Sequence, residues 1–111
     1  MSREQKALWD EVSTTLADRP GWSLEPAVSP GQPPSWCYGS GGVTELSVDV
    51  EGDKVSVYMV DRDQVLDLAD VPTLVRWLDA NESLFARRSS MTVDDFVTEF
   101  HLRVAEWRAS P

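Results

Sequence analysis

The sequence predicts an α+β fold: a small antiparallel sheet of 3–5 strands, with a central hairpin over about residues 43–60, packed on one face by an N-terminal helix and two C-terminal helices. Three observations carry this expectation. Apolar residues recur at helical spacing near both ends of the chain, and they alternate at period two in its middle. The order runs helix, strands, then helices, without the strand–helix alternation of a parallel sheet.

The first helix is expected over residues 3–18. Ser2 stands at the N-cap with Gln5 in the capping-box position, and Leu8, Trp9, Val12 and Leu16 form one apolar face. Arg19-Pro20-Gly21 ends it, since a proline disfavours helical geometry at the residue before it. Strands are expected within residues 22–68. Trp22 to Val28 alternates imperfectly and reads as a first strand, Ser35 to Tyr38 as a second. Between them, Ser29-Pro30-Gly31-Gln32-Pro33-Pro34 reads as a stiff exposed loop, because proline donates no backbone hydrogen bond. Gly39-Ser40-Gly41-Gly42 reads as a turn.

The central hairpin is the best-determined element. With Gly52-Asp53 as its two-residue turn, Glu51 faces Lys54, Val50 faces Val55, Val48 faces Val57 and Leu46 faces Met59. The other face then carries Asp49 opposite Ser56 and Ser47 opposite Tyr58. A one-residue slip would destroy the match, so turn and register support each other. One face is expected to be covered and the other wet, as antiparallel sheets permit. Gln64 to Leu68 completes the strands.

A second helix is expected over about residues 71–81, with Asp70 as cap, Pro72 in the first turn and Val71, Leu74, Val75 and Leu78 on its apolar face. Asn81-Glu82-Ser83 ends it. A third is expected over about 92–108, capped by Thr92 with Asp95, with Val93, Phe96, Val97, Phe100, Val104 and Trp107 as its stripe. The whole, residues 1–111, is expected to form a single globular domain, given its length.

Composition bounds the function. The formal charge is −9. That argues against a phosphate-neutralising nucleic-acid binder and equally against docking on anionic lipid, so neither a nucleic-acid nor a membrane partner is expected. The acidity is local: residues 41–82 hold ten acidic and three basic side chains. A single cysteine, Cys37, forbids an internal disulfide, and no apolar run approaches membrane-spanning length. A cytoplasmic location is expected. The absence of isoleucine and the excess of Arg over Lys point to a high-GC genome, most simply a bacterial one.

No motif for chemistry stands out. His101 is the only histidine, at the border of the last apolar stripe, and a histidine base needs a partner that the sequence does not place. Cys37, between Trp36 and Tyr38, reads as a small buried hydrophobe. Asp61-Arg62-Asp63 with Asp67 and Asp70 is a local carboxylate cluster, without the glycine of a calcium loop. Arg87-Arg88-Ser89-Ser90 is the only basic run, able in principle to dock an acidic partner or present Ser90 for phosphorylation. No catalytic residue, metal or cofactor is expected.

The leading expectation is therefore a non-catalytic protein–protein interaction module. It binds a basic protein through the wet face of the hairpin, Glu45, Ser47, Asp49 and Tyr58, together with Trp36. Two alternatives stand beside it: a small-molecule-binding domain or minor enzyme with a pocket between sheet and helices using His101 or Cys37, and a homodimeric structural domain. In size and charge the outline is similar to some bacterial immunity proteins and secretion chaperones, a likeness of bulk properties with no motif behind it.

Overall fold

The computed structural model of the chain describes residues 2–25, 34–40, 43–59 and 64–109; the side chains of Ser40, Val43, Thr44, Glu45, Met59, Gln64 and Val65 also lie outside that description. The architecture is α+β. An N-terminal helix α1 (Arg3–Ala17) precedes strands β1 (Trp22–Glu25), β2 (Ser35–Ser40), β3 (Val43–Glu51), β4 (Lys54–Met59) and β5 (Gln64–Leu68). Helices α2 (Val71–Ala80), α3 (Glu82–Ala86) and α4 (Val93–Ala109) follow. The chain divides into two compact units, Met1–Val71 and Pro72–Pro111.

In the first unit the five strands form one antiparallel sheet in sequence order. The capping box at Ser2 forms as the sequence requires: its hydroxyl accepts from the Gln5 N–H at 3.1 Å and the Gln5 side chain accepts from the Ser2 N–H at 3.1 Å. Val12 and Leu16 bury the inner face of α1. The hairpin register is the one that valine pairing dictates, from Leu46 opposite Met59 to Glu51 opposite Lys54. Gly52 supplies the left-handed residue of the turn, with φ +61°.

One face of the sheet is apolar and buried: Trp36, Tyr38, Leu46, Val48, Val55, Val57, Leu66 and Leu68. Across this face Trp36 stands opposite Val48 and Tyr38 opposite Leu46, while Trp22 lies beside Tyr38 with ring centroids 5.4 Å apart. Helix α1 packs against β1 and β3, and the Trp36 indole N–H donates to the Ser13 hydroxyl at 2.9 Å. Gly21, at φ +86°, turns the chain from α1 into β1 directly against the Tyr38 ring.

The second unit is helical, with more helix than the sequence pattern announces. Asn81 does end α2, but α3 and a single 3-10 turn at Arg88–Ser90 fill the expected linker. Asn81 is buried, and its side-chain amide donates back to the Trp77 carbonyl at 2.7 Å. That bond lets a polar residue serve as a buried corner between two helices. Trp77, Phe85, Phe96 and Phe100 form the aromatic core, with centroids 5.6 Å apart for Trp77–Phe100 and 6.1 Å for Trp77–Phe85 in edge geometry. Thr92 caps α4 by accepting from the Asp95 N–H at 3.1 Å.

Candidate functional site

Pairing the five strands places a set of side chains on the face opposite the apolar one. One cross-strand row reads Ser23, Cys37, Ser47, Tyr58. Beside it Glu25 pairs with Ser35, and Asp49 with Ser56 and Ser56 with Asp67, the Ser35 side chain joining the two sets by its hydrogen bond to Asp49. Glu51 and Lys54 close the hairpin end. Ser47, Asp49 and Tyr58 thus share one face, as the alternation requires. Trp36 does not: it sits on the apolar face, 8% exposed and bound to Ser13. Its strand position is odd-to-even out of phase with Ser35 and Cys37, so it cannot join them without a register slip.

Glu45 sits at an irregularity of β3. Tyr38 pairs with Leu46, but Gly39 pairs with Thr44, so Glu45 is the extra residue of a bulge in β3. Alternation cannot be carried through a bulge, and the Glu45 side chain lies outside the described residues. The sequence reading missed Glu25, Ser35, Ser56 and Asp67 as members of the face. The signal was present for Asp67, which lies between Leu66 and Leu68, but only strand pairing brings β1, β2 and β5 beside the hairpin.

The face is drier at its centre than a fully wet sheet surface. Ser56 is 1% exposed and Cys37 is 7% exposed. The Ser56 hydroxyl donates to Asp67 Oδ1 at 2.8 Å. The Tyr58 hydroxyl is hydrogen-bonded to Glu51 and Ser56, so its ring lies along β4 toward the hairpin end. Burial first, and then donation to Glu51, push the Tyr58 phenol up to about 12; the Ser56 hydrogen bond opposes this, and the Glu51 and Asp49 charges add to it.

Asp49 occupies the middle of the central strand. Burial is the main cause that raises its carboxyl above the ordinary value, Ser35 opposes by hydrogen-bonding the carboxylate, and the Glu51 charge adds to the rise. Its Oδ1 is shut from solvent and has no hydrogen-bond partner. Cys37 sits beside Ser47, Sγ to Oγ 3.7 Å. Burial pushes its thiol up, Ser47 lowers it, and the Glu25 and Asp49 charges raise it. Such a cysteine is a poor nucleophile, because the thiolate is the reactive form.

The remaining candidates fall elsewhere. His101 is exposed on α4, with its ring 6.1 Å from Phe100 in edge geometry. It belongs to the second unit and Cys37 to the first. Arg88 is a core residue: it is 8% exposed, its guanidinium lies 5.2 Å above the Phe96 ring, and its Nη1 donates to the Met91 carbonyl at 2.9 Å. This spends half of the basic run on structure. Asp61-Arg62-Asp63 lies outside the described residues.

Among the described residues no group of three His, Cys, Asp or Glu side chains is disposed to hold a metal ion, and no helix is long and apolar enough to cross a membrane. The second unit carries an open cleft of about 350 Å³ lined by Ala80, Asn81, Glu99, Arg103, Glu106 and Trp107. Its arginine is occupied within the chain, by Glu99 at 3.1 Å and Asn81 at 3.4 Å. No family model, no curated protein and no solved structure matches the chain.

Proposed function

We propose that the chain is a non-catalytic interaction module that docks the polar face of its sheet on a basic protein surface. The observation that supports this best is the composition of that face. Glu25, Asp49, Glu51 and Asp67 are arrayed across three strands, β1, β3 and β5, with Tyr58 of β4 lying among them and Lys54 the one cation among the described side chains of the face. The flanking carboxylates Glu25, Glu51 and Asp67 are exposed. Such an array raises the encounter rate with a positive surface and rejects negative ones. A partly exposed tyrosine at its centre is the residue type that anchors interfaces.

The raised thiol of Cys37 and the lone exposed His101 give no support to an enzyme reading. The same proposal takes the module to act in the cytoplasm of a bacterium with a high-GC genome; the single cysteine and the excess of Arg over Lys support that reading. Association kinetics test the proposal. Replacing Glu25, Glu51 and Asp67 by their amides lowers the association rate for the partner and flattens its salt dependence. Unchanged rates at low salt would remove the electrostatic part of the claim.

A further inference from the structure

The open cleft of the second unit is lined by the end of α2, at Ala80 and Asn81, and by one side of α4, at Glu99, Arg103, Glu106 and Trp107. The four α4 residues recur at helical spacing and so share a face. Asn81 is the buried member, 6% exposed, and it is held at both ends. Its amide donates to the Trp77 carbonyl at 2.7 Å, and its oxygen accepts from Arg103 Nη1 at 3.4 Å. Arg103 gives its Nε hydrogen to Glu99 Oε1 at 3.1 Å. Two different elements thus fix the guanidinium before any ligand arrives, which lowers the ordering cost of binding. An arginine has five N–H donors, and these two bonds leave three. Both members of the ion pair keep exposed surface, 18% for the Arg103 side chain and 36% for Glu99.

Charge then selects the ligand. A simple anion would meet an arginine already neutralised by Glu99, with Glu106 in the same lining. A simple cation would meet the Arg103 charge. A molecule that carries an ammonium beside a carboxylate meets the Arg103–Glu99 pair with the opposite pair and satisfies both charges at once. The cleft, of about 350 Å³, lies at the small end of ligand sites and suits a molecule of amino-acid size. One arginine against two glutamates leaves the lining with one net negative charge, which favours a basic side chain. The Trp107 indole offers such a cation its ring face. We propose that this cleft binds a free basic α-amino acid in its zwitterionic form, with the carboxylate on Arg103, the α-ammonium on Glu99 and the side chain along Trp107. The cleft belongs to the second unit and the polar face to the first, so this reading stands apart from the one above.

The test is a titration of the intact chain with L-arginine, followed by NMR at the Trp107 indole N–H and the Arg103 Nε–H. Both resonances move saturably and with one midpoint. L-Arginine methyl ester lacks the carboxylate and N-acetyl-L-arginine lacks the ammonium. Each binds weaker by roughly tenfold or more, because each loses a charge-assisted hydrogen bond. L-Glutamate also binds more weakly than L-arginine. The absence of a saturable shift with L-arginine would overturn the site. Equal binding of either blocked form would overturn the zwitterion, and equal binding of L-glutamate would overturn the basic side chain. These comparisons use the wild-type chain and so do not depend on a variant folding. Glu99→Gln keeps an acceptor for Arg103 Nε and removes the charge. In that variant the advantage of L-arginine over its N-acetyl form shrinks, and an undiminished advantage would overturn the role of Glu99.

Discussion

Replacing Gly21 by alanine should damage the first unit far more than replacing Gly52, although both glycines have positive φ, +86° and +61°. A Cβ on Gly21 would stand 2.5 Å from Tyr38 Cε2 and 3.0 Å from Cδ2, whereas one on Gly52 would meet nothing within 4 Å. The Tyr38 ring has little room to retreat: it is 7% exposed and lies against Trp22 at 5.4 Å. Two costs therefore add at Gly21. Left-handed geometry costs an alanine roughly 1–2 kcal/mol, and overpacking a filled site costs about 1–3 kcal/mol. The stiffer unfolded chain returns about 0.4–1 kcal/mol. The net loss for Gly21→Ala is about 1–5 kcal/mol, against about 0–2 kcal/mol for Gly52→Ala, so the two variants differ by the overpacking cost of about 1–3 kcal/mol. Urea denaturation separates them, since a slope of about 2 kcal/mol/M turns that difference into a midpoint separation on the order of 1 M. Equal midpoints for the two variants would refute the close approach of Gly21 to Tyr38.

Ser13→Ala removes the acceptor of the part-buried Trp36 indole N–H; denaturation should register a loss of about 1–2 kcal/mol, and no loss would mean that the indole finds water instead. Tyr58, pushed up to about 12 in the folded chain from an ordinary 10.0, favours folding while its phenol is neutral. That contribution is intact below the ordinary value and is lost as pH rises through the folded one. The wild type should therefore lose stability relative to Tyr58→Phe across that alkaline range, and a Tyr58 phenol titrating at its ordinary value, read as the ultraviolet absorbance difference between the two chains, would contradict its burial and its Glu51 hydrogen bond. Asn81→Leu removes the side-chain donor to the buried Trp77 carbonyl, at 2.7 Å, and the acceptor of Arg103. It should lower stability by roughly 1–3 kcal/mol, read by the same denaturation.

Much of the fold was legible because period and punctuation agreed. The valines of β3 and β4 admit one register, and the Gly52-Asp53 turn admits the same one. Ser2 with Gln5 and Thr92 with Asp95 marked helix starts that the hydrogen bonds confirm. What was not legible was set by pairing or by single side chains. The bulge at Glu45 leaves no trace in composition and upsets alternation where the face was being read. An aromatic residue beside an acidic strand suggests an interface, but the neighbours of Trp36, Ser35 and Cys37, take the polar side and leave it the apolar one. Helix α3 follows an Asn-Glu-Ser sequence that reads as a stop, and only the buried Asn81 amide shows why the chain turns there into a second helix. The polar face itself spans strands far apart in sequence, from Glu25 to Asp67, so a local pattern could show only its hairpin portion.

The most direct test of the interaction module is a comparative capture experiment from the host lysate at low and high salt. It uses the wild-type chain, a face variant with Glu25→Gln, Glu51→Gln and Asp67→Asn, and a charge-matched control with Glu4→Gln, Asp10→Asn and Glu11→Gln on the exposed side of α1. The account predicts a basic protein held in stoichiometric amount by the wild type and the control at low salt, released at high salt, and lost by the face variant. Equal retention by all three chains would contradict it.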